Sequence, residues 1–81
     1  MKKIYLKQLR ASRDLTQAAA AAVIGCNRQY YANVENGKID GSVDFWQRVK
    51  KAFDITDADA WRAMTETADK GFIMNRFTKV N

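Results

Sequence analysis

Apolar residues recur at helical spacing in five stretches of the 81-residue chain, and short polar segments separate these stretches. In residues 3–13, Leu6 and Leu9 lie along one helical stripe, with Lys7 and Arg10 beside it. Such a stripe predicts an amphipathic helix that packs against the rest of the domain. No linker divides the five stretches, so we expect a single all-α domain.

Residues 17–36 predict two short helices joined by a tight turn, and the rest of the chain is organised around them. The five alanines at 18–22 are strong helix formers. Gly25 can adopt the positive φ that ends a helix, and Asn27 can cap the next helix with its side-chain oxygen. Gly37 is placed to end the second helix in the same way.

Two further helices are predicted downstream. The fourth begins after Ser42, and its apolar stripe predicts core residues at helical spacing: Val43, Trp46, Val49 and Phe53. The fifth begins at Thr56, continues its apolar face through Trp61 and Met64, and ends at residues 69–71. Four capping side chains mark predicted helix starts, namely Thr16, Asn27, Ser42 and Thr56.

The chain divides into a predicted domain over residues 1–71 and a C-terminal tail over residues 72–81. The tail is too apolar to be left free in water, and its pattern fits a helix or a strand equally well. It could cover the domain's own core, pair with a second copy of the chain or bind another protein. Its apolar residues are Phe72, Ile73, Met74, Phe77 and Val80.

Composition narrows the function classes. A single cysteine cannot form an internal disulfide, and the chain has no signal pattern or long apolar run, so we expect a cytoplasmic protein without a membrane segment. Cys26 falls on an inward turn position, and no histidine is present to activate it, which favours a packing role. With no metal-ligand cluster, phosphate loop or paired nucleophile and base, we expect neither an enzyme nor a bound cofactor or metal.

The net charge of +5 is unevenly distributed. Residues 1–38 carry seven basic and two acidic side chains, whereas residues 39–81 carry seven of each. The whole excess therefore lies in the half that contains the two central helices. A nucleic-acid-binding surface would need such a distribution, although a solvated basic surface would also produce it.

A joint pattern of residues runs through and around the stretch 17–36: Leu15-Thr16-Gln17, Ala21, Gly25, Tyr31, Val34 and Glu35-Asn36-Gly37-Lys38. In these residues the chain resembles the helix-turn-helix of the lambda-repressor-like family of DNA-binding proteins, the Cro and repressor type also termed XRE-like. The resemblance covers roughly residues 5–62 and implies a compact five-helix fold whose third helix enters the major groove of DNA.

The resemblance also implies roles for individual side chains. The family position at Arg10 pairs with the acid at Glu35, which implies a structural ion pair between two helices. Arginine pairs with guanine, and glutamine and asparagine pair with adenine, so the predicted base-reading residues are Arg28, Gln29 and Asn33. The predicted contacts to the DNA backbone are Gln17, Asn27, Tyr30, Asn36 and Lys38.

These expectations lead to two hypotheses for function. The first is a sequence-specific regulator of transcription, of the phage or mobile-element repressor type, that occupies an operator in double-stranded DNA as a homodimer. The second is an antitoxin-like interaction module that uses its tail to hold a partner protein.

Overall fold

The computed structural model describes residues 3–66, which form five α-helices: α1 Ile4–Ala11, α2 Gln17–Ile24, α3 Arg28–Glu35, α4 Val43–Phe53 and α5 Asp57–Thr65. Residues 3–66 contain no strand, and the predicted all-α, five-helix fold is confirmed. None of these helices is long and apolar enough to cross a membrane. The predicted tail at residues 72–81 lies outside the described residues.

Four of the helices begin where the sequence predicts a capping side chain. Each capping oxygen accepts a hydrogen bond from a backbone N–H two or three residues further on, and so satisfies donors that the first helical turn leaves open. The four caps are Thr16, Asn27, Ser42 and Thr56. The first helix, α1, has no side-chain cap, and its preceding residue Lys3 instead donates its backbone N–H to the Glu35 carbonyl at 2.7 Å.

The core is formed by residues from all five helices. Phe45 lies at an aromatic centre, with its ring in edge-on contact with Tyr30 at 5.4 Å and with Trp46 at 5.0 Å between centroids. Three of the predicted α4 positions are buried, and Phe45 is a fourth that the stripe did not include. The buried apolar residues are Leu6, Ala20, Ala21, Ile24, Tyr31, Val34, Phe45, Trp46, Val49, Phe53 and Ala63.

The prediction of a core position is wrong for two residues, Val43 and Trp61. Val43 is 71% exposed, because at 100° per residue it lies about 160° around α4 from Phe45 and about 120° from Val49, both of which are buried. Trp61 is 53% exposed, because α5 buries Ala63, which lies about 200° around the helix from Trp61. Both side chains therefore form part of the protein surface over residues 3–66.

The predicted end of α5 at residues 69–71 is also wrong, since the helix ends at Thr65 and Glu66 has extended backbone angles. The Lys3 ammonium group donates to the Met64 carbonyl at 2.7 Å and to the Glu66 carbonyl at 2.6 Å. These carbonyls at the end of α5 thus obtain a partner from the other end of the chain, which a local pattern could not predict.

Candidate nucleic-acid interface

The turn between α2 and α3 is built as the sequence predicts. Gly25 has φ +89°, a left-handed conformation that costs glycine little, and it ends α2. The N–H groups of Gly25 and Cys26 both donate to the Ala21 carbonyl, at 2.8 and 2.9 Å. Asn27 then accepts from the N–H groups of Gln29 and Tyr30 at 2.6 and 3.2 Å, which starts α3. These hydrogen bonds close the turn that joins α2 and α3.

The inner face of α3 is anchored in the domain. Tyr31 and Val34 are fully buried, and Glu35 at the end of the helix is nearly so. On the outer face, Arg28 and Gln29 are exposed at the start of the helix, while Asn33, one turn further on, is half-buried. The helix therefore presents polar side chains outward while its apolar residues fix its position.

An ion-pair network fixes α3 relative to α1 and α2. The Arg10 guanidinium donates from Nε to Glu35 Oε2 at 2.9 Å and from Nη2 to Oε1 at 3.0 Å. A third donor, Gln17 Nε2, reaches Glu35 Oε1 at 3.1 Å. Arg10 Nη1 also donates to the Leu15 carbonyl at 2.7 Å. One carboxylate thus joins three helices, and the structure brings together the pair that the resemblance implies.

Burial and the ion-pair network shift the pKa values of Glu35 and of the neighbouring Tyr31. Burial alone would raise the pKa of the Glu35 carboxyl, but hydrogen bonds, above all from Arg10, outweigh burial and lower it below its usual 4.5. Burial first, and the Glu35 carboxylate second, raise the pKa of the Tyr31 phenol well above its usual 10.0. The Tyr31 hydroxyl lies beside this pair, yet no atom of residues 3–66 meets hydrogen-bond geometry with it. Tyr31 therefore stays neutral in the folded protein.

The predicted base-reading residues share the outer surface of α3. Arg28 occupies the first position of the helix and is exposed. Gln29 Nε2 donates to Asn33 Oδ1 at 3.0 Å, so these two amides contact each other along the helix. Gln29 and Asn33 each lie about 160° around α3 from the buried Tyr31, whereas Arg28 lies about 60° from Tyr31 and is exposed at the start of the helix.

The residues predicted to contact the DNA backbone differ in whether their side chains already make contacts inside the domain. Asn36 and Lys38 are exposed just after α3. The amide of Gln17 donates to Glu35, and the side-chain oxygen of Asn27 caps α3, so each already makes a contact inside the domain. The Tyr30 hydroxyl accepts the Ser42 N–H at 2.9 Å, and this bond ties α3 to the start of α4.

Two structural residues were missed by the sequence reasoning. Lys3 is only 3% exposed, and besides capping α5 its ammonium group lies 5.7 Å from the centre of the Trp46 ring. Arg48 donates to the Gly25 carbonyl at 2.9 Å, supports the turn from α4, and pairs with Asp44 at 2.9 Å. No local feature of the sequence distinguishes Lys3 and Arg48 from the lysines and arginines that lie exposed on the surface.

The basic side chains between positions 3 and 38 fall into two groups, those that bind partners inside the domain and those that do not. Lys3, Arg10 and Arg13 donate to partners inside the domain, Arg13 to the Phe53 carbonyl. The remaining basic residues between positions 3 and 38 are exposed: Lys7, Arg28 and Lys38. Within residues 3–66, no group of three or more His, Cys, Asp or Glu side chains could hold a metal ion.

A helix, a turn closed by a left-handed glycine, and a second helix anchored on its inner face define a helix-turn-helix protein. A family model described as a helix-turn-helix domain matches residues 4–62, and the chain belongs to this family. The match agrees with the resemblance to lambda-repressor-like proteins over nearly the same residues, and it supports a DNA-binding regulator. Neither the search of curated proteins nor the search of solved structures found a match.

Proposed function

We propose that the protein is a sequence-specific regulator of transcription that binds double-stranded DNA through α3. The observation that carries this proposal is the two-sided character of α3, with Tyr31, Val34 and Glu35 held in the domain and Arg28 and Gln29 exposed. A helix that must enter the major groove needs a fixed inner face and polar side chains on its outer face.

The roles of the exposed residues follow from their chemistry. Arg28 pairs with guanine O6 and N7, and the amides of Gln29 and Asn33 suit adenine N6 and N7. Lys38 and Asn36 contact phosphates beside the end of α3, where they add affinity without selecting a sequence. Lys7 is a further exposed base in the same half of the chain, and it adds to the attraction for phosphate.

Regulation in this proposal works by occupancy. We infer a repressor of the phage or mobile-element type, a small DNA-binding domain that covers an operator in the cytoplasm and blocks polymerase. Helix-turn-helix proteins usually read two half-sites about one helical turn apart, so the proposed active form is a homodimer.

A second candidate function is supported by an apolar groove between α4 and α5. The exposed side chains of Val43 and Trp61 line it together with Ala60 and Met64. Exposed apolar surface of this kind favours a protein contact. The groove is compatible with the homodimer, and it is equally compatible with an antitoxin-like module that holds a different protein.

Selection of bound sequences from a random double-stranded DNA library at near-physiological salt tests the proposal. An enriched inverted repeat supports a homodimeric operator reader and gives the half-site spacing. A single short enriched site supports a monomer or a partner-assisted reader. If folded protein enriches no sequence, the sequence-specific function is wrong, and co-purification with a neighbour-encoded protein becomes the test of the second candidate.

A further inference from the structure

The two amide side chains on the outer face of α3 contact each other. Gln29 Nε2 donates a hydrogen bond to Asn33 Oδ1 at 3.0 Å, between residues four apart and therefore adjacent on the helix surface. A free glutamine amide rotates broadly about its last side-chain bond, since the terminal torsion has no sharp minima. The contact with Asn33 restrains the orientation of the Gln29 amide before any DNA is bound.

The hydrogen bond leaves Gln29 with the groups that adenine requires. A glutamine amide has two N–H donors and one carbonyl oxygen, and the bond to Asn33 uses one of the donors. The remaining N–H can donate to adenine N7, while Oε1 can accept from adenine N6. A two-point contact with adenine uses the N–H on the same side as Oε1, so the two contacts can coexist when the bond to Asn33 uses the other N–H.

The two residues are not equivalent in position. Gln29 is exposed in the first turn of α3, the end that brings side chains to base edges, whereas Asn33 is half-buried one turn further from that end. The Oδ1 atom of Asn33 already accepts the Gln29 donor, so a contact between Asn33 and adenine N6 would have to share this oxygen. Asn33 is therefore better placed to hold Gln29 than to contact a base.

We propose that Gln29 and Asn33 form one recognition unit in which Gln29 reads a single adenine and Asn33 acts as the positioning residue behind it. The inference rests on the proposed DNA-binding function and refines it. The two amides then specify one base pair of each half-site together, and Arg28 specifies another.

The test compares base preferences, because a merely structural role would weaken all sequences alike. Random-library selection is performed with the wild-type chain, with Gln29→Ala, with Asn33→Ala and with the double variant. Both single variants should lose the adenine preference at the same position, each by about 5- to 150-fold in relative affinity. The double variant should fall within about threefold of Gln29→Ala, because the two losses are not additive.

The variant Asn33→Asp separates positioning from reading. An aspartate at this position keeps an oxygen that accepts the Gln29 donor but has no N–H of its own. It should retain the adenine preference while weakening binding to every sequence, since its charge repels phosphate. In the protein without DNA, Asn33→Ala should shift the NMR signals of the Gln29 side-chain amide and leave amides outside α3 unchanged.

The outcomes distinguish this inference from the proposed function. If Gln29→Ala and Asn33→Ala remove preferences at different positions, each residue reads its own base and the unit is disproved, while sequence-specific binding stands. If the Gln29 side-chain signals do not respond to Asn33→Ala, the unit is also disproved. If wild-type protein enriches no sequence, the proposed function and this inference fail together.

Discussion

The Arg10 guanidinium forms a two-point contact with the Glu35 carboxylate, with Nε 2.9 Å from Oε2 and Nη2 3.0 Å from Oε1. Their side chains are only 14% and 5% exposed, so both charges are largely removed from water. Each charge therefore depends on the other for compensation. Because Glu35 ends α3 and Arg10 belongs to α1, the pair fixes the helix that carries the candidate base-reading residues.

Glu35→Gln should destabilise the domain, because it leaves the Arg10 charge without a carboxylate in a largely buried site. We expect a loss of about 2–4 kcal/mol in the free energy of unfolding, measured with urea at neutral pH. The control is Lys50→Gln, which removes an exposed pair with Asp57 and should cost less than about 1 kcal/mol. Equal losses in the two variants would contradict the structural importance of the Arg10–Glu35 pair.

Glu35 should also make part of the stability depend on pH. Its folded-state pKa is lowered, because hydrogen bonds outweigh the burial that opposes ionisation, so below the usual 4.5 the unfolded chain binds more protons than the folded one. The contribution is fully present above about pH 5 and is lost as the pH falls through the folded-state pKa. Urea unfolding at falling pH should show the stability difference between wild type and Glu35→Gln becoming smaller. A difference that stays constant in acid would count against this linkage.

Lys3→Met tests the connection between the two ends of the described chain. The ammonium group donates to the carbonyls of Met64 and Glu66, and Lys3 is only 3% exposed, so the substitution removes two hydrogen bonds at the end of α5. We expect a cost of about 1–3 kcal/mol in thermal or urea unfolding. Lys7→Met, at an exposed position of α1, is the matched control and should change stability by less than about 0.5 kcal/mol.

Gly25 and Gly41 both have a positive φ, but different side chains pack against them. Gly25 and Gly41 have φ of +89° and +84°, so alanine at either position is strained by about 1–2 kcal/mol. A Cβ at Gly25 would meet the end of the flexible Arg48 side chain at 3.1 Å, whereas at Gly41 it would lie 2.8 Å from Nε1 of the buried Trp46 indole.

Gly41→Ala should therefore be the more destabilising substitution, by a further 1–3 kcal/mol or so, because the core must shift to accept the methyl group. Urea unfolding of both variants measures the difference. Equal free energies of unfolding for Gly25→Ala and Gly41→Ala would contradict this prediction, since the side chains around Trp46 would then accommodate the methyl group without loss of stability.

Local signals in the sequence were sufficient for the helices and their starts. Gly25 has the predicted left-handed backbone, and the Asn27 side chain caps α3 as expected. What failed depended on contacts between distant parts of the chain. The end of α5 is capped by Lys3, more than sixty residues earlier, and the exposure of Trp61 follows from which side of α5 meets the core.

The candidate site was likewise predicted only in part from the sequence. Residue chemistry was enough to nominate Arg28, Gln29 and Asn33, but the hydrogen bond between the two amides depends on side-chain conformations that spacing alone does not fix. The link from the Tyr30 hydroxyl to Ser42 is similar, since it requires the loop after α3 to return toward that helix.

Arg28 and Lys38 should differ in how they affect DNA binding, although both are exposed bases near α3. Arg28→Ala should cost about 1–3 kcal/mol on the selected operator and relax preference at one base pair, because a two-point contact with guanine is lost. Lys38→Ala should weaken all sequences alike and reduce the slope of log affinity against log salt by about 1, because a lysine on phosphate displaces a counterion without reading a base. Titrations of the operator and a scrambled duplex at several salt concentrations measure both effects. If the two variants lose the same affinity on both duplexes, then Arg28 contacts phosphate, and base selection must come from elsewhere on α3.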